Sequence, residues 1–399
     1  MKYMVIGAGA IGTVIVRDLA KEKATSKIGI GEIRLPFAQS LADEVGAIAE
    51  AVYVDIFAED VLRSAIRGYD VVVNTAGPYY RTVRKVIEAC VAEKINYVDV
   101  ADDSAAARIL LEYDQQCKDA KITALVCAGL SPGTSNMLGL LGSKQMDQCD
   151  EIHTSWAASA FAEHDTSRSD IFVTPAVANH VIQMSTGTCP QFLNGKMEEV
   201  PATSGSRDIP FDPSLGVYPS HYVGHSEPIT LSQNIPGVQT VTNRGNIWPI
   251  EADITSFGVF DELGLAKEEP INVAGKEVIR RDIAVAIMLE SFISDDMKPA
   301  GPDPAFQTHV EVTGKKDGKD ISIEYTNVCD MNPATGLPCA YGAQLVAKNK
   351  GKVYGVVAPE QYFETKAYFE HLIQKGKDFN FYVTTTIDGK KSERQLLKV

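Results

Sequence analysis

The segment Gly7-Ala-Gly9-Ala-Ile-Gly12 carries three glycines at the spacing G-x-G-x-x-G. Gly7 permits a tight turn, Gly9 lets the backbone approach a pyrophosphate, and Gly12 permits close packing of a helix on a strand. The next helix begins at about Ala10 and Ile11, whose N–H groups lie at the positive end of the helix dipole. The segment predicts a dinucleotide site; the alternative is a glycine turn without a ligand.

Two carboxylates follow strands at positions where the adenosine half of a dinucleotide would lie. Glu32 stands 20 residues after Gly12 and can accept hydrogen bonds from both ribose hydroxyls. Its charge would repel a 2′-phosphate and so favours NAD, whereas Arg34 could pair with that phosphate in NADP. Asp55 ends the third strand beside the expected adenine position, although aspartate is also a common turn former. We predict NAD, with NADP as the alternative cofactor.

Polar residues follow the apolar run Asp70-Val-Val-Val-Asn74, which is typical of a buried parallel strand. Ligands of open α/β sheets bind at the carboxyl ends of such strands. We therefore assign Asn74, Gly77 and Pro78 to cofactor binding, because the last two allow close backbone approach to the nicotinamide ribose. The phenol of Tyr79 can hydrogen-bond a substrate nitrogen or carboxylate; the alternative is a packing tyrosine in a loop.

Asp102 and Asp103 end the next strand at the same predicted edge. Adjacent carboxylates can bind a substrate ammonium, and one with a raised pKa can act as a base. The alternative is a helix cap, since both precede the helical pattern Ala105–Ala120. We predict a cap for one aspartate and a site role for the other.

The segment Ser131-Pro-Gly-Thr-Ser-Asn136 is typical of a helix start, with Ser131 as cap and Pro132 in the first helical position. Free N–H groups there can hold the nicotinamide carboxamide or a substrate carboxylate. The alternative is a capped helix start without a ligand.

His221 and His225 are four residues apart and Glu227 follows. On a helix this spacing would present metal ligands, but Pro219 and Gly224 make a helix unfavourable and H-E-x-x-H is absent. We predict no metal site. His225 is interpreted as structural, with proton transfer left open because histidine titrates in the right range.

The first third of the chain alternates strand and helix patterns, which predicts a doubly wound parallel sheet. The predicted strands are Tyr3–Ile6, Lys27–Ile33, Ala51–Val54, Asp70–Asn74, Asn96–Val100 and Ile122–Cys127. The predicted helices are Ile11–Lys21, Phe37–Glu44, Val61–Ile66, Arg81–Glu93 and Ala105–Ala120.

After Gly142, Pro and Gly become frequent and the pattern indicates a largely antiparallel sheet. The predicted strands are His153–Ala160, Phe306–Val312 and Lys319–Tyr325, the last two forming a hairpin around 314–318, and a second hairpin of Phe379–Ile387 with Ser392–Leu397. The predicted helices are Pro333–Lys348 and Pro359–Gly376.

Composition excludes several classes of protein. The 399 residues suit two or three domains, and 45% hydrophobic content excludes a disordered chain. A formal net charge of −14 without a Lys/Arg cluster argues against nucleic acid. No apolar stretch is long enough to span a membrane. The seven cysteines lack C-x-x-C spacing, which favours reduced thiols and a cytoplasmic protein.

With six further segments, the chain resembles the saccharopine dehydrogenase-like family, which includes saccharopine reductase, lysine 6-dehydrogenase and carboxynorspermidine dehydrogenase. The segments that carry the resemblance are Val72–Tyr80, Tyr97–Asp103, Ala128–Asn136, His225–Leu231, and Thr335–Cys339 with Gly355–Glu360. Each segment is short, but their order and spacing make the match specific.

The resemblance implies an α/β protein with an N-terminal Rossmann domain, 1–140, on which helices of about 333–376 pack back. Residues 141–332 and 377–399 would form a C-terminal α+β domain, with a largely antiparallel sheet, for substrate binding and homodimer formation. It also implies hydride transfer between nicotinamide and a carbon that bears nitrogen. The expected partner is a small amine or amino acid.

The resemblance also bears on individual residues. Tyr79 matches a tyrosine that faces substrate in saccharopine reductase, and Arg244 matches the arginine of a T-x-R segment. A guanidinium can bind a substrate carboxylate in a bidentate manner, the alternative being an exposed structural ion pair. Ser131–Asn136 is nearer to the lysine 6-dehydrogenase and carboxynorspermidine dehydrogenase forms than to the acidic saccharopine reductase form.

The sequence therefore predicts an NAD(P)-dependent oxidoreductase acting on a C–N bond of an amino acid or amine. One alternative is a polyamine enzyme similar to carboxynorspermidine dehydrogenase. The other is a nucleotide-sensing protein that keeps the fold without catalysis.

Overall fold

The computed structural model describes residues 1–159, 175–293, 305–349 and 351–398. The strands are β1 Lys2–Ile6, β2 Lys27–Glu32, β3 Ala49–Tyr53, β4 Val71–Asn74, β5 Asn96–Asp99, β6 Thr123–Leu125, β7 Gln148–Ser159, β8 Thr188–Leu193, β9 Lys196–Pro201, β10 Arg207–Pro210, β11 Val217–Tyr222, β12 Thr240–Trp248, β13 Pro270–Val273, β14 Lys276–Ile279, β15 Phe306–Lys316, β16 Lys319–Cys329, β17 Gly355–Val357, β18 Phe381–Ile387, β19 Lys390–Lys391 and β20 Gln395–Leu396.

The helices are α1 Ala10–Lys21, α2 Leu35–Val45, α3 Glu59–Ile66, α4 Tyr79–Glu93, α5 Ser104–Leu111, α6 Asp114–Ala120, α7 Thr134–Ser143, α8 Pro175–Ser185, α9 Glu227–Asn234, α10 Gly258–Glu262, α11 Arg280–Ile293, α12 Met331–Lys348, α13 Pro359–Tyr362 and α14 Thr365–Ile373. The chain divides into two compact units. Unit 1 comprises 1–137 and 331–379, and unit 2 comprises 138–330 and 380–398. Within the described ranges, no helix combines the length and apolar character needed to cross a bilayer.

Unit 1 is built on a seven-stranded sheet with the order β17-β6-β5-β4-β1-β2-β3. Every neighbouring pair in it is parallel, and helices connect the strands. The valines of β4 are completely buried, as expected for a strand covered on both faces. The predicted doubly wound parallel sheet is confirmed.

The register of the unit 1 sheet brings several strand ends level with one another. Ile6 at the end of β1 pairs with Gly31 on one side and Asn74 on the other, and Asn74 pairs with Asp99. The loops that follow β1, β2, β4 and β5 therefore leave the sheet at one edge. These loops contain the glycines, carboxylates and tyrosine to which the sequence assigns chemistry.

Unit 1 also includes residues 331–379, which lie near the end of the chain. Strand β17 pairs with β6 at one edge of the sheet. Helix α12 packs on α1 so closely that a Cβ on Gly336 would lie 2.7 Å from Val14 Cγ1. Lys375 Nζ forms an ion pair of 2.7 Å with the buried Asp18.

Two predicted helices of unit 1 are interrupted. The predicted helix Ala105–Ala120 is α5 and α6, separated at Tyr113, whose hydroxyl donates to Glu88 and accepts from Arg84. The predicted helix Pro359–Gly376 is α13 and α14. Glu364 separates these two because its carboxylate caps α14 by accepting from two backbone amides of that helix. Helical periodicity continues through both breaks, so it does not reveal them.

Unit 2 contains a mixed sheet that is largely antiparallel, as predicted. β15 pairs antiparallel with β7 and β16, and β18 pairs antiparallel with β16. Both predicted hairpins, β15–β16 and β18 with β19 and β20, are confirmed. The exception is β12, which runs parallel to β7 over nine residue pairs. Two parallel strands such as β7 and β12 require a long connection between the end of one and the start of the other.

The sequence patterns missed several elements of unit 2, including β12 and the helices α8 and α11. These two helices contribute to a core that covers one face of the sheet, with Trp156 and Ile247 beneath them. Side chains alternate along β12, so Asn243 and Gly245 share the face of Trp156, and Arg244 lies on the other. Ala160, predicted as the last residue of a strand, lies outside the described residues.

Candidate active site

The glycine-rich loop of unit 1 has two crowded positions and one open position. Gly7 has a φ of +106°, and a Cβ there would lie 2.7 Å from Thr75 Oγ1. A Cβ on Gly12 would lie 1.9 Å from the Gly7 carbonyl oxygen. A Cβ on Gly9 would meet no atom of the described chain within 4 Å. The loop therefore leaves free space where backbone approach to a pyrophosphate requires it, at the start of α1 and its residues Ala10 and Ile11.

Glu32, at the end of β2, is held against this loop. Its Oε2 accepts a hydrogen bond of 3.1 Å from the Ala8 amide, and its Oε1 accepts one of 3.1 Å from the Arg34 amide. The Arg34 guanidinium lies 3.9 Å from the carboxylate and 4.5 Å from the centre of the Phe37 ring. The arginine side chain is 72% exposed, so it is not locked in place. The carboxylate of Glu32 is therefore the fixed charge beside the glycine-rich loop.

Asp55 acts as a turn former. Its Oδ1 accepts a hydrogen bond of 2.9 Å from the Phe57 amide, two residues on. This is the local pattern of an Asx turn. The half-buried side chain stands after β3, where the sequence places the adenine end of a dinucleotide.

Asn74 is completely buried at the end of β4, and its side chain is used within unit 1. Its Oδ1 accepts from the Ala76 amide and its Nδ2 donates over 3.4 Å to the Tyr97 hydroxyl. That hydroxyl donates over 2.7 Å to Asp99 Oδ2. Asn74 therefore shapes the turn that leads to Gly77 and Pro78 rather than presenting its amide at the surface.

Asp99 is a buried carboxylate at the same sheet edge, and the sequence did not identify it as a candidate. It is 0% exposed, and its carboxylate accepts from the Tyr97 hydroxyl and from the amides of Cys127 and Ala101. Burial raises its pKa to about 6, although these hydrogen bonds oppose the rise. A buried carboxylate that titrates close to neutral pH is characteristic of functional sites. Asp99 is the last residue of β5 and precedes the predicted pair Asp102 and Asp103. No motif in the sequence indicates it separately.

Tyr79 is the first residue of α4 and is half-buried. Burial raises the pKa of its phenol well above the ordinary value, and the charges of Asp102 and Asp99 raise it further. The phenol therefore stays protonated at neutral pH. It can donate a hydrogen bond to a substrate, but it is a poor base.

Asp103 occupies the N-cap position of α5 and is 1% exposed, whereas Asp102 is half-buried. The carbonyl of Asp103 accepts from the Ala107 amide. Its carboxylate does not cap the helix, so among the described residues the predicted side-chain cap is absent. Both carboxylates lie near Tyr79, because both of them raise the pKa of its phenol.

The predicted helix start, with Ser131 as cap and Pro132 in the first helical position, is wrong, whereas ligand binding by this segment stays a prediction. Helix α7 begins at Thr134, and the amides before and at its start are already used. Gly133 donates to Asn136 Oδ1, and Thr134 and Ser135 donate to backbone carbonyls. These three amides are therefore satisfied within the chain, which favours the alternative of a helix start without a ligand. Its Pro-Gly spacing resembles a cap and does not reveal these internal partners.

Arg244 lies on one face of β12 in unit 2 and is only 7% exposed. Its Nη1 donates over 2.7 Å to Thr242 Oγ1, its Nε donates over 2.9 Å to the Gly205 carbonyl, and its guanidinium stacks on Tyr222. Burial lowers the pKa of Arg244. The alternative of an exposed ion pair is wrong, because the guanidinium is buried. Its binding of a substrate carboxylate stays a prediction.

The face of the unit 2 sheet opposite Arg244 carries a cluster of polar side chains that the sequence analysis did not predict. His225 is 4% exposed, and its Nδ1 lies 3.6 Å from Oε2 of the fully buried Glu227. Its Nε2 lies 3.3 Å from Nε2 of His180, on α8. His221 is separate, in β11, and lies 3.6 Å from Asp253. Proximity between His180 and His225 comes from the fold and has no signal in spacing.

Two family models together match most of the chain. The saccharopine dehydrogenase NADP binding domain matches residues 3–125, and the saccharopine dehydrogenase C-terminal domain matches residues 129–377. The chain belongs to the saccharopine dehydrogenase family. The resemblance carried by the short segments is therefore confirmed.

Relatives and a solved structure agree with this assignment. Carboxyaminopropylagmatine dehydrogenase of Synechocystis sp. is 24% identical over 387 residues, 90% of this chain and 92% of that protein. Carboxynorspermidine synthase of Vibrio cholerae is 24% identical over 281 residues, 66% of this chain and 63% of that protein. Apo saccharopine dehydrogenase (L-Glu forming) of Saccharomyces cerevisiae has a TM-score of 0.67 at 15% identity, covering 97% of this chain and 99% of that one. The last similarity shows the shared fold.

Family membership confirms the predicted enzyme class. The protein is an NAD(P)-dependent dehydrogenase of the saccharopine dehydrogenase family, with a nicotinamide cofactor and a reaction at a carbon that bears nitrogen. The loop geometry fits that cofactor, since Gly9 is open and Glu32 is fixed beside it.

Proposed function

We propose that this dehydrogenase interconverts an amine and an imine on a substrate that carries both a carboxylate and a cationic amine. The observation that carries the proposal is the common edge of the unit 1 sheet. There the register brings the glycine loop level with the strand ends that precede Tyr79 and Asp102. Residues 1–140 with 333–376 would bind the dinucleotide, and 141–332 with 377–399 would bind substrate and form a homodimer.

The names of the relatives support a carboxylated polyamine-type substrate over lysine or saccharopine. One relative is called carboxyaminopropylagmatine dehydrogenase and the other carboxynorspermidine synthase. The carboxylates of Asp99, Asp102 and Asp103 suit a substrate with positive charge. The net charge of −14 would also favour approach of a cationic amine.

For the cofactor we propose NAD in preference to NADP. The carboxylate of Glu32 is fixed by the amides of Ala8 and Arg34, so its negative charge cannot leave the ribose position without breaking two hydrogen bonds. The negative charge of Glu32 would repel a 2′-phosphate at the ribose position. The exposed side chain of Arg34 would have to move in order to neutralise the 2′-phosphate.

The residues of unit 1 would bind and orient the reacting nitrogen. When bound, nicotinamide supplies hydride transfer, which depends mainly on positioning. The protonated phenol of Tyr79 would donate to the substrate nitrogen or carboxylate. Asp102 and Asp103 would hold an ammonium group, and the buried Asp99 would strengthen the local negative potential. Arg244 would recognise a substrate carboxylate through the part of its guanidinium not bonded to Thr242 and Gly205.

The cellular location that we propose is the cytoplasm. The seven cysteines, all within the described residues, are buried and form no disulfide with one another. Reduced thiols without a disulfide framework are typical of that compartment.

Two substitutions test the proposed site. We expect Tyr79→Phe and Asp102→Asn to lower kcat by at least about tenfold, because each removes a polar contact to the reacting group. The Kd for NADH should stay at the wild-type value. The matched control is Tyr80→Phe, the neighbouring tyrosine of α4, which should keep the wild-type kcat. Equal losses in all three variants, or lost NADH binding, would contradict the assignment.

A further inference from the structure

Asp99, the last residue of β5, lies at the centre of a hydrogen-bond network in unit 1. Its side chain is completely buried. Oδ2 accepts a hydrogen bond of 2.7 Å from the Tyr97 hydroxyl, and Oδ1 accepts from the amides of Cys127 over 2.7 Å and Ala101 over 3.2 Å. A buried carboxylate is costly unless such donors remain directed at it. Asp99 therefore fixes the groups that donate to it.

The Tyr97 hydroxyl extends this network to the neighbouring strand β4. While it donates to Asp99, its oxygen accepts a hydrogen bond of 3.4 Å from Asn74 Nδ2. The Asn74 side chain is held in this orientation, and its Oδ1 accepts over 3.2 Å from the Ala76 amide. The donors run in one direction, from Asn74 through Tyr97 to Asp99. The orientation of the Asn74 side chain therefore depends on a carboxylate at the end of the next strand.

The loop after β4, residues 75–78, is held against the glycine-rich loop by further hydrogen bonds. Thr75 Oγ1 donates over 3.1 Å to the Gly7 carbonyl. The Ala76 carbonyl accepts over 2.7 Å from Thr82 Oγ1 in α4, while the Ala76 amide donates to Asn74. A change in the side chain of Asn74 would thus be transmitted to the loop that contacts Gly7.

The hydrogen-bond network depends on the charge of Asp99. An ionised carboxylate only accepts, whereas a protonated carboxyl carries a hydrogen of its own and loses an acceptor position. Burial raises the pKa of Asp99 to about 6, and the charge of Asp102 raises it further. The other titratable groups that face it are Tyr97, Tyr79 and Cys339. Burial holds the pKa of all three well above their ordinary values, so they stay protonated at neutral pH.

We propose that Asp99 is a positioning residue for the dinucleotide, because through Tyr97 and Asn74 it holds the loop 75–78 against the glycine-rich loop. The proposal rests on the proposed function, which places the cofactor at these loops. Asp99 acts through its hydrogen-bond partners and needs no contact with the cofactor. The ionised carboxylate maintains the network and the protonated carboxyl interrupts it. The cofactor therefore binds more tightly when Asp99 is ionised.

Tyr97→Phe tests the network without removing the carboxylate. It deletes only the hydroxyl, so Asn74 Nδ2 loses its acceptor. The loss of one buried hydrogen bond should raise Kd for NADH about fivefold, measured by nicotinamide fluorescence at pH 7.5. The matched control is Tyr69→Phe, a second buried tyrosine of unit 1 whose hydroxyl donates over 2.8 Å to a carboxylate, that of Glu50. It should keep the wild-type Kd.

The pH dependence of binding separates positioning from a merely structural role. In the wild type, Kd for NADH should rise about fivefold as the pH falls from about 7.5 to 5, because protonation of Asp99 interrupts the network. In Asp99→Asn it should be raised and independent of pH in this window. Asp102→Asn should move the midpoint to lower pH, since the charge of Asp102 raises the pKa of Asp99. General destabilisation would change Kd equally at every pH.

Hydrogen exchange of the Ala76 amide gives a second readout that needs no cofactor. This amide is protected by its hydrogen bond to Asn74 Oδ1. Without cofactor, it should exchange faster in Tyr97→Phe than in the wild type, and at the wild-type rate in Tyr69→Phe.

Failure of the positioning role is distinguishable from failure of the proposed function. A wild type that binds NADH, with Kd and Ala76 exchange unchanged in Tyr97→Phe, overturns the positioning role alone. The same holds if Asp99→Asn shows the wild-type pH dependence; should that variant not fold, a wild-type Kd that is independent of pH overturns it instead. Tight NADH binding without amine turnover overturns the function alone. A wild type that binds no dinucleotide overturns both.

Discussion

At the residue scale, two side chains near the strand ends of unit 1 have pKa values raised above their ordinary values. Tyr79 is kept protonated, and Asp99 is brought to a pKa of about 6, in both cases mainly by burial. The phenol can therefore act as a donor throughout the neutral range. Asp99 changes charge close to neutral pH and couples to Asp102.

Asp99 predicts a specific dependence of stability on pH. Its pKa is raised from 3.8 to about 6, so the folded state binds the proton more tightly than the unfolded state. The free energy of unfolding should fall as pH rises through this window, by up to about 3 kcal/mol from this group. Asp99→Asn should lack that component when urea unfolding is compared at pH 4.5 and 7.5. Parallel pH profiles for variant and wild type would show that Asp99 is not perturbed.

Residue spacing predicted only part of the site. Gly7, Gly9, Gly12 and Glu32 were identified as candidates because the roles assigned to them depend on local chain geometry, which a spacing rule captures. Asp99 was missed because its perturbation comes from burial and from hydrogen bonds of distant residues. His180 and His225 are 45 residues apart and meet only in the folded chain.

At the element scale, the turn from β1 into α1 separates two functions of glycine. Gly12 is needed so that the helix can pack on the loop, and Gly9 leaves space for a ligand. A substitution at Gly9 therefore tests binding without a steric clash inside the protein.

Gly9→Ala should fold normally and lose cofactor affinity. Gly9 has an extended backbone, φ −75° and ψ −171°, which alanine readily adopts. The added methyl would fill the open space, so we expect Kd for NADH to rise at least about tenfold, or 1.4 kcal/mol. The measurement is titration by nicotinamide fluorescence.

The matched control for this prediction is Gly258→Ala at the start of α10. A Cβ there also meets no atom of the described chain within 4 Å, and its backbone is helical. It should leave Kd for NADH unchanged. If Gly9→Ala binds NADH as tightly as Gly258→Ala, the loop does not hold the pyrophosphate.

Helices and strands were predicted well where apolar residues recur with one regular period. They were predicted poorly where contacts made in the folded chain determine the element. The buried parallel strands of unit 1 and both hairpins of unit 2 follow from apolar runs and turn residues. The breaks at Tyr113 and Glu364 depend on side-chain hydrogen bonds that periodicity does not register. Strand β12 was missed because its polar residues, such as Asn243, are buried by pairing within the fold.

At the scale of the whole molecule, residues 1–137 and 331–379 build one unit although they are distant in sequence. Asp18 in α1 is buried and joins Lys375 over 2.7 Å, with Gln344 donating to the same carboxylate over 3.3 Å. These partners are 357 and 326 residues away in sequence. Composition and length predicted more than one domain, but no local pattern identifies this long-range ion pair.

Asp18→Asn should destabilise unit 1. It leaves the ammonium of Lys375 without its 2.7 Å partner, and because that lysine is 22% exposed we expect a loss of roughly 1–3 kcal/mol. The neighbouring Arg17→Gln removes an exposed pair with Glu44 and should cost at most about 1 kcal/mol. Urea unfolding followed by circular dichroism compares them. Equal losses would mean that burial of Asp18 adds nothing.

A turnover assay tests whether this protein oxidises amines with a nicotinamide acceptor. Purified protein is mixed with NAD or NADP and, in turn, with lysine, saccharopine, ornithine, carboxynorspermidine and other short ω-amino acids, and the absorbance of reduced nicotinamide is followed. We expect reduction of NAD, faster than that of NADP, with a substrate that carries both an amine and a carboxylate. Tight NADH binding without turnover of any amine, in either direction, would contradict it and favour a nucleotide-sensing protein.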